Sequence, residues 1–312
     1  MGAVVAAFAQ SLTVTSPSSG EFLGLTNQLK FLIDGATSQA KVVATTTNTG
    51  NSSISFRTEG LFDPDSNNKI NGSLNLNFDE ATPAGTYNIR VEYFSQGNII
   101  QTRNISNVRI DTKAPKFRNL APANGSFLSG LIPISAELEE PNVDLWTVKV
   151  NSRDIPSNTG SGTAISVIWD PSTIERDGSQ TISIEAKDLA RNSASRQIVV
   201  NLDRIKPSAA VRSPSTIGYR PGSTIPVQID ITDQFDGSVR GTGVSVILRT
   251  MDGQFIQTVA RRAIRQNGNA LQWVGRIQKS NRIPSQFKMV VTVQDRAGNQ
   301  AVTQEVVVRY GN

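Results

Sequence analysis

Strict alternation of apolar and polar residues, written out three times, constrains this chain more than any other feature. "TYNIRVEYFSQGN", "TISIEAKDLARN" and "FKMVVTVQDRAGN" place apolar side chains at every second position: Tyr87, Ile89 and Val91; Ile182, Ile184 and Ala186; Phe287, Met289, Val291 and Val293. Period two over that length is a strand with one buried face. A polar turn follows each run, then a second alternating run through Val108 and Ile110, through Ile198, Val200 and Leu202, and through Val306, Val308 and Tyr310. Each pair predicts a hairpin.

Other landmarks recur in step. "SLTVTSPSSGEFLG", "KFRNLAPANGSFLSG" and "SAAVRSPSTIGYRPGS" each read as a short strand, a proline (Pro17, Pro122, Pro214), a turn and an aromatic (Phe22, Phe127, Tyr219). "LNLNF", "AISVIW" and "LQW" end at Phe78, Trp169 and Trp273, rings at the same place in each unit that suit a core plug between two sheets. The phrases "IDTKAPKF" and "LDRIKPSAAV" join one unit to the next, with proline holding the backbone extended. The boundaries follow: residues 1–9, then units at 10–114, 115–206 and 207–312. Short proline junctions predict a stiff row of beads.

Units of this size ending "D-x-A-G-N … D-x-x-x-P" resemble the bacterial immunoglobulin-like and fibronectin-III-like repeats of exported surface proteins. The third unit is most similar to the immunoglobulin-like module of flagellar-hook-capping proteins, through "MDGQFIQTV", "LQWVGR" and "VQDRAGN". The resemblance implies an all-β chain of three tandem immunoglobulin-like β-sandwich domains in an elongated row. The first unit departs from the pattern, with Phe94 where the others have Asp188 and Asp295. In the other two, Asp and Asn bracket a tight turn and cap its free N–H groups.

Composition narrows the chemistry. The chain has no Cys and no His, which excludes thiol nucleophiles, disulfides, zinc clusters and histidine acid–base catalysis. No glycine-rich phosphate loop and no G-x-S-x-G phrase is present. The expectation is a protein that is not an enzyme and has no cofactor. The adjacent acids Glu139 and Glu140 would point to opposite faces of a strand and read as a solvated pair. Residues 1–9 are apolar but too few to span a bilayer. Ala7-Phe8-Ala9 has the spacing of an export-signal cleavage site. A strand-forming arm and an unstructured terminus are the alternatives.

Two clusters stand out as candidate sites. In "FDPDSNNKING", Asp63, Asp65 and Asn67 alternate as in a calcium loop, but Leu74 replaces the closing Glu and the sixth-position Gly is missing. A solvated Asx turn is the competing reading. The Asp188/Asn192 and Asp295/Asn299 brackets are further candidates for interdomain calcium ligands. Charge concentrates in the last unit, where residues 207–312 hold thirteen Arg or Lys against six Asp or Glu. Arg249, Arg261, Arg262, Arg265, Arg276, Lys279 and Arg282 make a candidate surface for an anionic glycan, a headgroup or an acidic subunit face. Ordinary solubilising charge is its rival, and no nucleic-acid motif accompanies it. The functional expectation is an extracellular or cell-surface structural or adhesive protein. It would be a spacer or subunit of a layer, filament or appendage that associates with itself or with other surface proteins. The alternative is a glycan-binding accessory module.

Overall fold

The computed structural model describes residues 10–215, 218–220, 222–235, 243–267, 270–278, 280–303 and 305–310. Strands dominate throughout. A short 3-10 segment, Pro171–Thr173, is capped by Asp170.

In the first unit, Ser11–Ser16, Thr26–Asp34 and Lys69–Asn77 form one antiparallel sheet. Facing it is a five-stranded sheet in the order Phe22–Leu23, Asn98–Ile110, Gly85–Ser95, Ala40–Asn48 and Ser55–Phe62. The second unit repeats both sheets. Its three-stranded sheet holds Lys116–Ala121, Ile132–Glu139 and Ala164–Trp169. Its five-stranded sheet runs Phe127–Leu128, Ser193–Leu202, Gly178–Asp188, Val143–Val150 and Arg153–Gly160.

The recurring proline and aromatic mark where the first strand changes sheets. The Ser16-Pro17, Ala121-Pro122 and Ser213-Pro214 bonds are all cis. Beyond each, the chain crosses over and lies parallel to the last strand: Phe22 against Arg109, Phe127 against Asn201, and Tyr219 against Tyr310.

The third unit keeps the layers but deals its strands differently. Arg261–Asn267 leaves the sheet that its neighbour Phe255–Thr258 edges and pairs with Ala270–Ile277 in the opposite one. The last strand is also divided: Gln300–Val302 and Val306–Arg309 both pair with Gln286–Gln294.

Three separate cores result, drawn from residues within 12–110, 132–202 and 225–308. The alternation seen in the sequence is the alternation of burial: Tyr87, Ile89, Val91 and Tyr93 are closed off while Asn88 and Arg90 face water. Phe78, Trp169 and Trp273 are buried as expected. Phe78 packs edge-on against Phe56 at 5.4 Å. The Tyr87 hydroxyl donates to the Pro83 carbonyl at 2.7 Å, which pins the entry to its strand. No helix among the described residues is long and apolar enough to cross a membrane.

Candidate metal centres at the two domain seams

The two seams are built from equivalent residues. At the first, carboxyl groups of Asp111, Glu140 and Asp188 meet; at the second, those of Asp203, Asp233 and Asp295. Within each trio the carboxyl oxygens lie within 4.8 Å of one another. In both, the first member follows the last strand of the preceding unit. The other two cap strands of the next: Glu140 and Asp188 end Ile132–Glu139 and Gly178–Asp188, while Asp233 and Asp295 end Ile225–Thr232 and Gln286–Gln294. Glu140, Asp188, Asp203 and Asp295 are all buried. Glu140 is therefore no solvated partner of Glu139, which stays exposed and pairs with Arg118. The strand ends between them, so the face rule for adjacent residues no longer applies.

An asparagine locks each trio to the neighbouring unit. Asn192 Nδ2 donates to the Asp111 carbonyl at 2.9 Å, to the Lys113 carbonyl at 3.3 Å and to Asp188 Oδ2 at 2.8 Å. Asn299 Nδ2 does the same at the second seam, reaching the Asp203 carbonyl at 2.8 Å, the Ile205 carbonyl at 3.4 Å and Asp295 Oδ2 at 2.8 Å. The turn-capping expected from the sequence is also present. Asp188 Oδ1 accepts from Asn192 N at 2.9 Å, and Asp295 Oδ1 from Asn299 N at 2.8 Å. One phrase thus closes a turn and fastens a seam. The side-chain nitrogens of Asn192 and Asn299 are thus taken up by the preceding unit's carbonyls and by the Asp of their own bracket.

Steric fit completes each joint. A Cβ on Gly24 would sit 2.4 Å from the Ala190 carbonyl oxygen, so the units approach backbone to backbone there. At the matching place in the second seam stands Ser129, whose hydroxyl donates to the Ala297 carbonyl at 2.7 Å. Gln234 adds bonds to Asp203 Oδ1 (2.6 Å) and Asp177 Oδ2 (3.0 Å), and Arg204 holds Asp177 through Nε at 2.6 Å. Phe127 lies between Phe235, 5.8 Å away, and the Arg296 guanidinium at 5.4 Å.

Burial, reinforced by the charges of Asp111 and Asp188, pushes the Glu140 carboxyl above its usual range. Burial raises Asp188 in the same way, with Asp111 adding to it. Asp233 is raised by burial and then by Asp203 and Asp295. The first unit's own outer turn lacks this chemistry: Phe94 stands where the others have Asp188 and Asp295, and the hydroxyl of the next residue, Ser95, lies 3.1 Å from that of Ser38.

No family model matches the chain, and no curated protein matches it. Among solved structures it is similar to the fibronectin(III)-like modules of Clostridium thermocellum CbhA, at 12% identity and TM-score 0.41 over 62% of this chain and 94% of that one. It is also similar to the Escherichia coli adhesin FdeC, at 10% identity and TM-score 0.40 over 98% of each chain. The FN1–FN3 domains of chicken CNTN1 match at 9% identity and TM-score 0.33 over 97% of this chain and 98% of that one. What assigns the fold is the strand order, with the first strand shared between a three-stranded sheet and a five-stranded one. The chain is a tandem of three immunoglobulin-like β-sandwiches.

The loop singled out from the sequence lies in the first immunoglobulin-like unit, away from both seams. Asp65 Oδ1 accepts from Asn67 N at 2.9 Å and Lys69 N at 2.8 Å, an Asx turn, while Asp63 Oδ1 accepts from Gln39 at 3.0 Å. On the third unit, Arg261, Arg262, Arg265, Arg276 and Arg282 are exposed. Arg249 is half-buried and donates to the Gly253 carbonyl at 2.8 Å, which closes a turn. Lys279 lies outside the described residues. Asp111, Asp203 and Asp233 escaped the sequence reading, and Glu140 was read there as solvated. Their only signal was an acid at equivalent places in successive repeats.

Proposed function

We propose that this protein is a non-enzymatic structural or adhesive protein of the cell exterior, a rod-like spacer or subunit of a surface layer, filament or appendage. One observation carries the reading: both seams are fastened by the same Asp–Asn bracket, so the relative setting of neighbouring units is specified twice by the same chemistry. Domains joined by unspecified linkers move independently. A chain whose only task was to tether a binding module would have no need to repeat a directed joint. Sheet edges such as Ser55–Phe62 and Arg153–Gly160 offer unpaired backbone groups through which copies or other surface proteins could add strands.

Negative-stain imaging of the purified chain, with immunogold labelling of intact producing cells, tests this. Straight particles of constant length, or ordered fibres, together with label on the outer surface support it. Particles bent at random between beads, or label confined to the interior, overturn it. Retention on insoluble polysaccharide that survives high salt would instead favour the glycan-binding reading.

A further inference from the structure

We infer that each seam binds one divalent cation of the calcium type, held by Asp111, Glu140 and Asp188 at the first and by Asp203, Asp233 and Asp295 at the second. Geometry comes first. Calcium takes oxygen ligands at 2.3–2.6 Å, so two oxygens on one ion stand at most about 4.6–5.2 Å apart. The oxygens of each trio fall inside that span. The donors are all carboxylate oxygens, the hard set that calcium prefers, with no thiol or imidazole anywhere in the chain.

The second observation is an orphaned oxygen. Asp233 Oδ2 is sealed from solvent and accepts no hydrogen bond. The Thr112 hydroxyl, next in the chain to Asp111 at the first seam, is also buried without a partner. A buried anionic oxygen with nothing opposite it is costly unless a cation or a proton compensates. Among the described residues, no Lys or Arg forms an ion pair with Glu140, Asp188, Asp233 or Asp295. A cleft of about 520 Å³, lined by Phe127, Gly243, Asp295 and Arg296, gives an ion a route to the second trio.

Recurrence excludes accident. Three acids converge at one seam through residues from two units, and three acids at the equivalent places converge at the other. Because each ion would bridge the end of one unit and the start of the next, its binding stiffens the joint. The site does not depend on the extracellular reading, because cation uptake is measured on the isolated chain.

The test is calorimetric titration of the intact chain with CaCl2, after stripping with EGTA, in neutral buffer. Uptake of two ions per chain is expected, falling to one in Glu140→Gln and one in Asp233→Asn, and to none in the double variant. The Asp63→Asn, Asp65→Asn chain should keep both. Absence of uptake at millimolar calcium, or two ions still bound by the double variant, overturns the proposal. Should a variant fail to fold, the unmodified chain supplies the readout. At calcium tenfold above its dissociation constant, opening of the seam falls about tenfold. Trypsin cleavage after Lys113 should slow by that factor, and a rate indifferent to calcium overturns the site.

Discussion

Asn192 donates its side-chain amide to the carbonyl of Asp111 at 2.9 Å, joining two units across 81 positions of sequence. Asn299 and Asp203 stand in the same relation at 2.8 Å across 96. The joint between units is therefore a directed bond, repeated, and its consequences can be measured.

Asn192→Ala removes this bond and leaves two carbonyls and Asp188 Oδ2 without their donor. A buried acceptor left unsatisfied costs about 1–3 kcal/mol. That loss falls on the seam and spares the sandwich cores. Trypsin should cut after Lys113 faster, while the far-ultraviolet circular dichroism stays that of the parent. An unchanged cleavage rate would show that the amide does not hold the units together.

Gly24 and Ser129 occupy matching places and predict responses of unequal size. Gly24→Ala sets a methyl 2.4 Å from the Ala190 carbonyl oxygen, an overlap that costs about 1–3 kcal/mol unless the seam opens. Ser129→Gly loses only the hydroxyl's bond to Ala297, worth about 1 kcal/mol. Hydrogen exchange of the residues facing each seam should rise more in the first variant than in the second.

The carboxylate trios give the seams an unusual pH dependence. Glu140, Asp188 and Asp233 bind protons more readily folded than unfolded. Stability therefore falls as pH rises from the ordinary carboxylate range through these raised values, and recovers on acidification. Glu59 and Asp230 are held below that range by Lys41 and by Arg212 respectively, and they lose stability on acidification. A global melt mixes the two trends. Cleavage after Lys113, followed in EGTA with an acid-tolerant protease, should isolate the seam and slow between neutral pH and about pH 5. Faster cleavage on acidification would contradict it.

Trp169 is buried at 2% exposure in the second core alone. Trp169→Ala should cost about 3–5 kcal/mol and lower one calorimetric transition, leaving those of the outer units in place. A uniform shift of all transitions would mean that the three cores melt as one.

Most of the fold could be read from the chain itself, because one buried face per strand writes its period directly into the sequence. Tyr87, Ile182 and Phe287 mark the same strand three times, and Phe78, Trp169 and Trp273 the same plug. The re-dealt strand Arg261–Asn267 was not legible, since pairing partners are chosen by the opposite strand and leave no local period. The turn role of Asp188 and Asn192 followed from their spacing. An interdomain role was raised for them only as candidate calcium ligands; the bond that fastens the seam was not foreseen, since it needs the carbonyl of Asp111 brought back from 81 residues away. Glu140 was misread because its strand ends at Glu139, so the alternation of faces stops before it and its meeting with Asp111 and Asp188 leaves no local signal.

Absence of cysteine makes the decisive distance straightforward to label. Asn104 and Gln197 are exposed on equivalent strands of the first two units. With Asn104→Cys and Gln197→Cys carrying spin labels, electron–electron resonance should return one narrow distance. Its expected value is about 40 Å, the length of a strand of about twelve residues, and Asn192→Ala should broaden it. A broad distribution in the parent chain, unaltered by that substitution, would contradict a specified seam.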